Sequence, residues 1–115
     1  MKKRLINIVS DLQKITENIC TCKTINELFD LFLKYQIKPR LFGAKKLNND
    51  YIGCDVKSKD FIITFDMLTD DDNNINELTF YYGIKIYIPA THNYIKLPLF
   101  DLLDIERAKQ YNYMF

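Results

Sequence analysis

The spacing of apolar residues changes at Pro39, and this change limits what the chain can become. Before it, Leu5, Ile8, Val9, Leu12, Ile15 and Ile19 recur at steps of mostly three and four. That spacing lines one face of a helix from about Lys2 to Cys20, with Lys3, Lys14, Glu17 and Asn18 on other faces. Thr24-Ile25-Asn26-Glu27 fits a capping box: the Thr24 hydroxyl accepts from the third helical N–H and Glu27 reaches back. A second helix therefore starts there, with Ile25, Leu28, Phe29, Phe32 and Tyr35 as its apolar stripe, broadened by Leu31 and Leu33. The residue before a proline resists helical geometry, so this helix ends near Ile37.

After Pro39 the period is two. Ile52, Cys54 and Val56 alternate with Gly53 and Asp55; Phe61, Ile63, Phe65 and Met67 alternate with Ile62, Thr64 and Asp66. Leu78 to Ile88 reads as one long alternating strand, with Gly83 marking a bulge and Pro89 its end. A short strand over Arg40–Lys46 and another over Tyr94–Leu97 complete the set. A tight turn at Ser58-Lys59 pairs Val56 with Phe61, Cys54 with Ile63 and Ile52 with Phe65. A loop through Asp70–Asn76 pairs Met67 with Leu78, Phe65 with Phe80 and Ile63 with Tyr82. Ser-Lys is a poor two-residue turn, so the first hairpin is expected to be looser than this. Pro98 opens a third helix with Leu99, Leu102, Leu103 and Ile105 on its apolar side, and the aromatic tail Tyr111–Phe115 docks on the body. The expected fold class is α+β: two N-terminal helices, an antiparallel β-meander of three to five strands, and a C-terminal helix, in two layers. With 115 residues, 48% of them apolar, the chain suits one domain over 1–115.

The formal net charge of +1 argues against a generally basic nucleic-acid binder, yet charge is segregated. Leu31 to Asn49 contains no acid, and Asp60 to Ile84 contains no base. Cys20, Cys22 and Cys54 form no disulfide framework, no apolar run is long enough to span a membrane, and the expected location is cytoplasmic. The start, Met1–Arg4, precedes a stretch broken by Asn7, Ser10 and Asp11, unlike a signal peptide. Thirteen Lys against three Arg, with abundant Ile, Asn, Tyr and Phe, point to an AT-rich genome, bacterial, phage or viral.

No spacing points to a cofactor, and none is expected. His92 is the single histidine and lacks a sequence-defined nucleophilic partner. Asp70, Asp72 and Asn74 imitate a calcium loop, but Ile75 stands where glycine is needed and Tyr81 where glutamate is needed. Cys20-Thr21-Cys22 is too close and too poor in partners for zinc, so no metal site is assigned. Asp55 and Asp66 with Lys85 share the outward sheet face, which makes a metal-dependent nuclease or hydrolase one alternative. The basic stretch Lys34–Lys46 makes nucleic-acid binding another. The favoured expectation is a small non-catalytic protein that inhibits or neutralises a macromolecule, with a protein partner, as immunity proteins and phage inhibitors do. Its binding residues would be Asp66, Asp70, Asp71, Asp72, Glu77, Tyr81, Lys85 and Tyr87, tyrosines flanked by charge.

Overall fold

The computed structural model describes residues 1–34, 37–46, 49–80 and 83–115. Helix α1 spans Lys3–Thr21 and α2 spans Ile25–Lys34. Strands β1 (Lys38–Lys46), β2 (Asn49–Lys57), β3 (Phe61–Thr69), β4 (Ile75–Phe80), β5 (Gly83–Ile88) and β6 (Asn93–Pro98) follow. The chain ends in α3 (Leu99–Leu102), α4 (Ile105–Ala108) and a 3-10 segment over Lys109–Met114. The α+β class with two leading helices and an antiparallel sheet is as expected.

In α1 the expected stripe is the buried one: Leu5, Ile8, Val9, Leu12 and Ile19 are buried and Ile15 is half-buried. Thr16 joins them, its buried hydroxyl satisfied by donating to the Leu12 carbonyl at 2.6 Å. At the start of α2, Thr24 Oγ1 accepts from the Glu27 N–H at 3.1 Å. The Glu27 carboxylate accepts from the N–H of Lys23, one residue earlier than the expected capping box has it. Ile25, Leu28 and Phe32 are buried, but Leu33 is 77% exposed and belongs to the opposite face. Tyr35 lies outside the described residues, as does the stretch between Lys34 and Ile37 where the helix is expected to end.

The strand order is β1-β2-β3-β5-β6, with β4 also paired to β3. Strand β3 therefore meets β2 along one edge and β4 then β5 along the other. Met67↔Leu78 and Phe65↔Phe80 form as expected, while the Ile63–Tyr82 pairing falls outside the described residues. The β2–β3 register differs from expectation by two residues: Cys54 faces Phe65 and Val56 faces Ile63. The turn sits one residue later, with the Ser58 N–H donating to the Phe61 carbonyl at 2.9 Å. Ser58 Oγ accepts from the N–H groups of Asp60 and Phe61 at 3.3 and 3.2 Å, which holds a turn that has no glycine.

Of the long strand expected from Leu78 to Ile88, the described parts are β4 and β5, on either side of residues 81–82, which lie outside the described residues. Phe65 pairs with Phe80 but Phe61 pairs with Ile86, so the β4–β5 side accommodates two more residues than β3 does. Both displacements are even, so every side chain keeps its face. Phe61, Ile63, Phe65, Met67, Cys54, Val56, Ile84 and Ile86 point inward onto α1 and α2 as one core. The C-terminal helix expected after Pro98 is present and begins at Leu99, but it is interrupted at Leu103-Asp104, where Asp104 caps α4, and ends in a 3-10 segment. The aromatic tail does dock: Tyr111, Met114 and Phe115 pack against the core, and Phe115 lies 5.4 Å from the Arg4 guanidinium.

Two leucines test this assignment of faces. Leu12→Ala, at a site with no exposure, lowers unfolding stability by about 2–5 kcal/mol, whereas Leu33→Ala changes it by less than about 0.5 kcal/mol. Urea titration of both variants checks the contrast.

Candidate functional site

The outward side of the sheet holds the sequence-predicted residues that the structure describes on strands. On β2 and β3 these are Asp55, Thr64 and Asp66; on β4, Glu77 and Thr79; on β5, Lys85 and Tyr87. Tyr81 lies outside the described residues. The described helices all contribute to the inner core, while outward positions Lys57, Glu77, Thr79, Lys85, Tyr94 and Lys96 are exposed.

This face has two halves. In one, Asp55 accepts from Arg40 at 2.6 Å and from the Thr64 hydroxyl at 2.7 Å, tying three strands together. Asp66 stands opposite Thr79, and Glu77 opposite Leu68. In the other half, Tyr87 and Tyr94 pair across β5 and β6, with ring centroids 5.4 Å apart and planes at 56°. The Tyr87 hydroxyl lies 3.2 Å from His92 Nδ1. His92 sits in the β5–β6 turn at φ 54°, so the ring that anchors Tyr87 is presented by a left-handed turn residue.

A row of lysines crosses this second half. Lys57 is opposite Ile62, Ile62 opposite Lys85, and Lys85 opposite Lys96. Lys96 lies over Gly83: a β-carbon there would come within 2.8 Å of its Cγ and Cε. Glycine thus leaves room for the lysine stem on the sheet surface. Lys57 and Lys96 were missed from sequence because they join Lys85 only through strand pairing.

The metal-dependent alternative gains no support from this arrangement. Among the described residues no three His, Cys, Asp or Glu side chains gather as metal donors. Lys85 shares the outward face with Asp55 and Asp66 as expected, but its row lies four β3 residues from Asp66, roughly 13 Å away. The side chains of most of Lys34–Lys46 fall outside the described residues.

The acidic loop has a structural task of its own. Asp70 accepts from the N–H groups of Asp72 and Asn74 at 3.0 and 2.9 Å and from the Asn74 side-chain amide at 3.1 Å. These bonds, chiefly those from Asn74, hold its carboxyl below the usual range. Asn73, at φ 63°, turns its carbonyl to accept from the first N–H of α2 at 3.0 Å, and the Ile75 N–H donates to Lys23 at 2.7 Å. The loop is thereby a clamp on the α2 N-terminus, and only Asp71 and Asp72 present their carboxylates to solvent without such a role. Comparison of the chain with protein-family models, curated proteins and solved structures finds no match.

Two measurements follow. Asp70 has a lowered folded-state value against 3.8 when unperturbed, so its stabilisation is present above that unperturbed value and is lost as pH falls through the lowered one. The stability gap between wild type and Asp70→Asn is accordingly widest near neutrality and closes in acid, as denaturant titration across pH will register. Among the thiols, Cys20 is exposed, while burial, then the Asp55 charge, pushes Cys54 up to about 12. Iodoacetamide at mildly alkaline pH alkylates Cys20 first and reaches Cys54 only on unfolding, which peptide mass mapping will resolve.

Proposed function

We propose that the protein is a small non-catalytic binding protein that inhibits or neutralises another macromolecule through the outward face of its sheet, in the manner of immunity proteins and phage-encoded inhibitors. The observation that carries this reading is the exposed outward face itself. It holds a fixed tyrosine pair beside charged rows, while the helices occupy the inner side. Rigid aromatic rings next to charge give binding energy at small entropic cost. Within the expected binding set, Lys85 and Tyr87 belong to this surface directly, and Asp66 and Glu77 flank it. Asp70, also in that set, is held in the clamp by its bonds from Asp72 and Asn74. The buried Cys54 thiol and exposed Cys20 thiol suit a reducing compartment, in keeping with a cytoplasmic location. No described helix is long and apolar enough to cross a membrane.

Affinity capture with three proteins tests the reading: wild type, the outward-face variant Lys85→Glu/Tyr94→Ala, and Leu33→Ser on the exposed side of α2. The expected result is one macromolecule retained at near-equal stoichiometry, its activity abolished at equimolar protein, with retention lost only in the outward-face variant. Undiminished retention by that variant would overturn the assignment.

A further inference from the structure

We infer that the lysine half of the outward face binds single-stranded nucleic acid. This inference rests on the proposed use of that face as a binding surface, and gives the lysine half of it a nucleic-acid rather than a protein partner. The first argument is charge. Lys57, Lys85 and Lys96 occupy one row, with backbone separations of roughly 10 Å across β3 and roughly 5 Å between β5 and β6. None of the three forms an ion pair among the described residues. Lysines directly opposite one another on neighbouring strands repel and weaken the sheet. An anion lying along the row relieves that repulsion, so a strand of phosphates complements it better than a single point charge does.

The second argument is aromatic. Tyr94 is 42% exposed and is braced from one side by Tyr87, whose hydroxyl is in turn held by His92. A braced, exposed ring next to a cationic row is a stacking platform for unpaired bases, which a duplex would keep sequestered. The third argument is the boundary. Asp55 is occupied by Arg40 and Thr64, and Asp66 and Glu77 mark the far half of the face as unfavourable for phosphate. A polyanion is thus confined to β5, β6 and the adjoining ends of β2 and β3. An acidic protein segment would satisfy the lysines but would make no use of the ring.

Fluorescence anisotropy with labelled oligo(dT), a duplex of equal length and a polyglutamate peptide of equal charge tests the inference. Oligo(dT) is expected to bind more tightly than the other two, with a slope of log K against log salt of roughly −2 for three lysines at about 0.7 each. Lys57→Ala, Lys85→Ala and Lys96→Ala should each flatten the slope by about 0.7. Tyr94→Ala should weaken binding about fivefold or more, and Tyr94→Phe should restore it. Circular dichroism verifies that the variants, all at exposed positions, keep their fold. Equal affinity for polyglutamate, or a neutral Tyr94→Ala, would overturn the nucleic-acid assignment in favour of an acidic protein partner. If oligo(dT) fails to bind while the captured macromolecule is still lost in Lys85→Glu/Tyr94→Ala, the nucleic-acid assignment fails and the outward-face reading survives.

Discussion

Strand β3 holds the sheet together, because β2 lies along one edge and β4 and β5 share the other. Its inward residues Phe61, Ile63, Phe65 and Met67 have essentially no exposure and meet the buried stripes of α1 and α2 in one cluster. Burying each such side chain is worth about 1.5–3 kcal/mol, far more than any surface charge pair in this fold. A slip of one residue against any neighbour would put that row in water and bring Asp66 toward the core. The fold therefore fixes which residues face outward before any electrostatic preference applies, and Thr64, Asp66, Lys85 and Tyr87 are outward because Phe65 and Ile86 are inward.

The same constraint explains what could be read from the sequence and what could not. The α1 stripe, the start of α2 and the strand alternation all follow from periodicity and one cap, and each is found. Periodicity specifies parity but not register, and both register errors are of two residues. The first hairpin turns one residue later because Ser58 offers a hydroxyl to two N–H groups, a local interaction that apolar spacing does not encode. The exposure of Leu33 departs from expectation for a related reason: an apolar residue in a helical window carries no label for the face it will occupy.

That two-residue displacement determines the chemistry of the outward face. In the register expected from sequence, Asp60 would stand between Lys57 and Lys85 and neutralise both. In the fold, Ile62 takes that place and Asp60 sits in the turn, where its carboxylate is 3.5 Å from Arg4. Arg4 also donates to the Tyr87 carbonyl and lies against the ring of Phe115, so the displaced acid becomes part of a junction between α1, the β2–β3 turn and the C-terminus. The serine-held turn both gives the lysine row its uncompensated charge and ties Asp60 to the helical layer. Neither consequence was legible without the pairing.

The lysine row of the face draws on none of the basic Leu31–Asn49 stretch, and the acidic stretch of the chain takes altered roles. The acidic stretch after Asp60 contributes a clamp at Asp70 and two outward carboxylates, Asp66 and Glu77, rather than a continuous acidic surface. The Lys85 row lies roughly 13 Å from Asp66 along β3, beyond the screening length of about 8 Å at physiological salt. Over that distance the carboxylates would scarcely reduce the attraction of the lysines for the phosphates of the proposed nucleic-acid strand. They act on the length of chain that tries to extend past Thr64, where separation falls below the screening length. On the nucleic-acid proposal, the face would attract a polyanion at one end and limit its extent at the other, a polarity set by strand register more than by net charge.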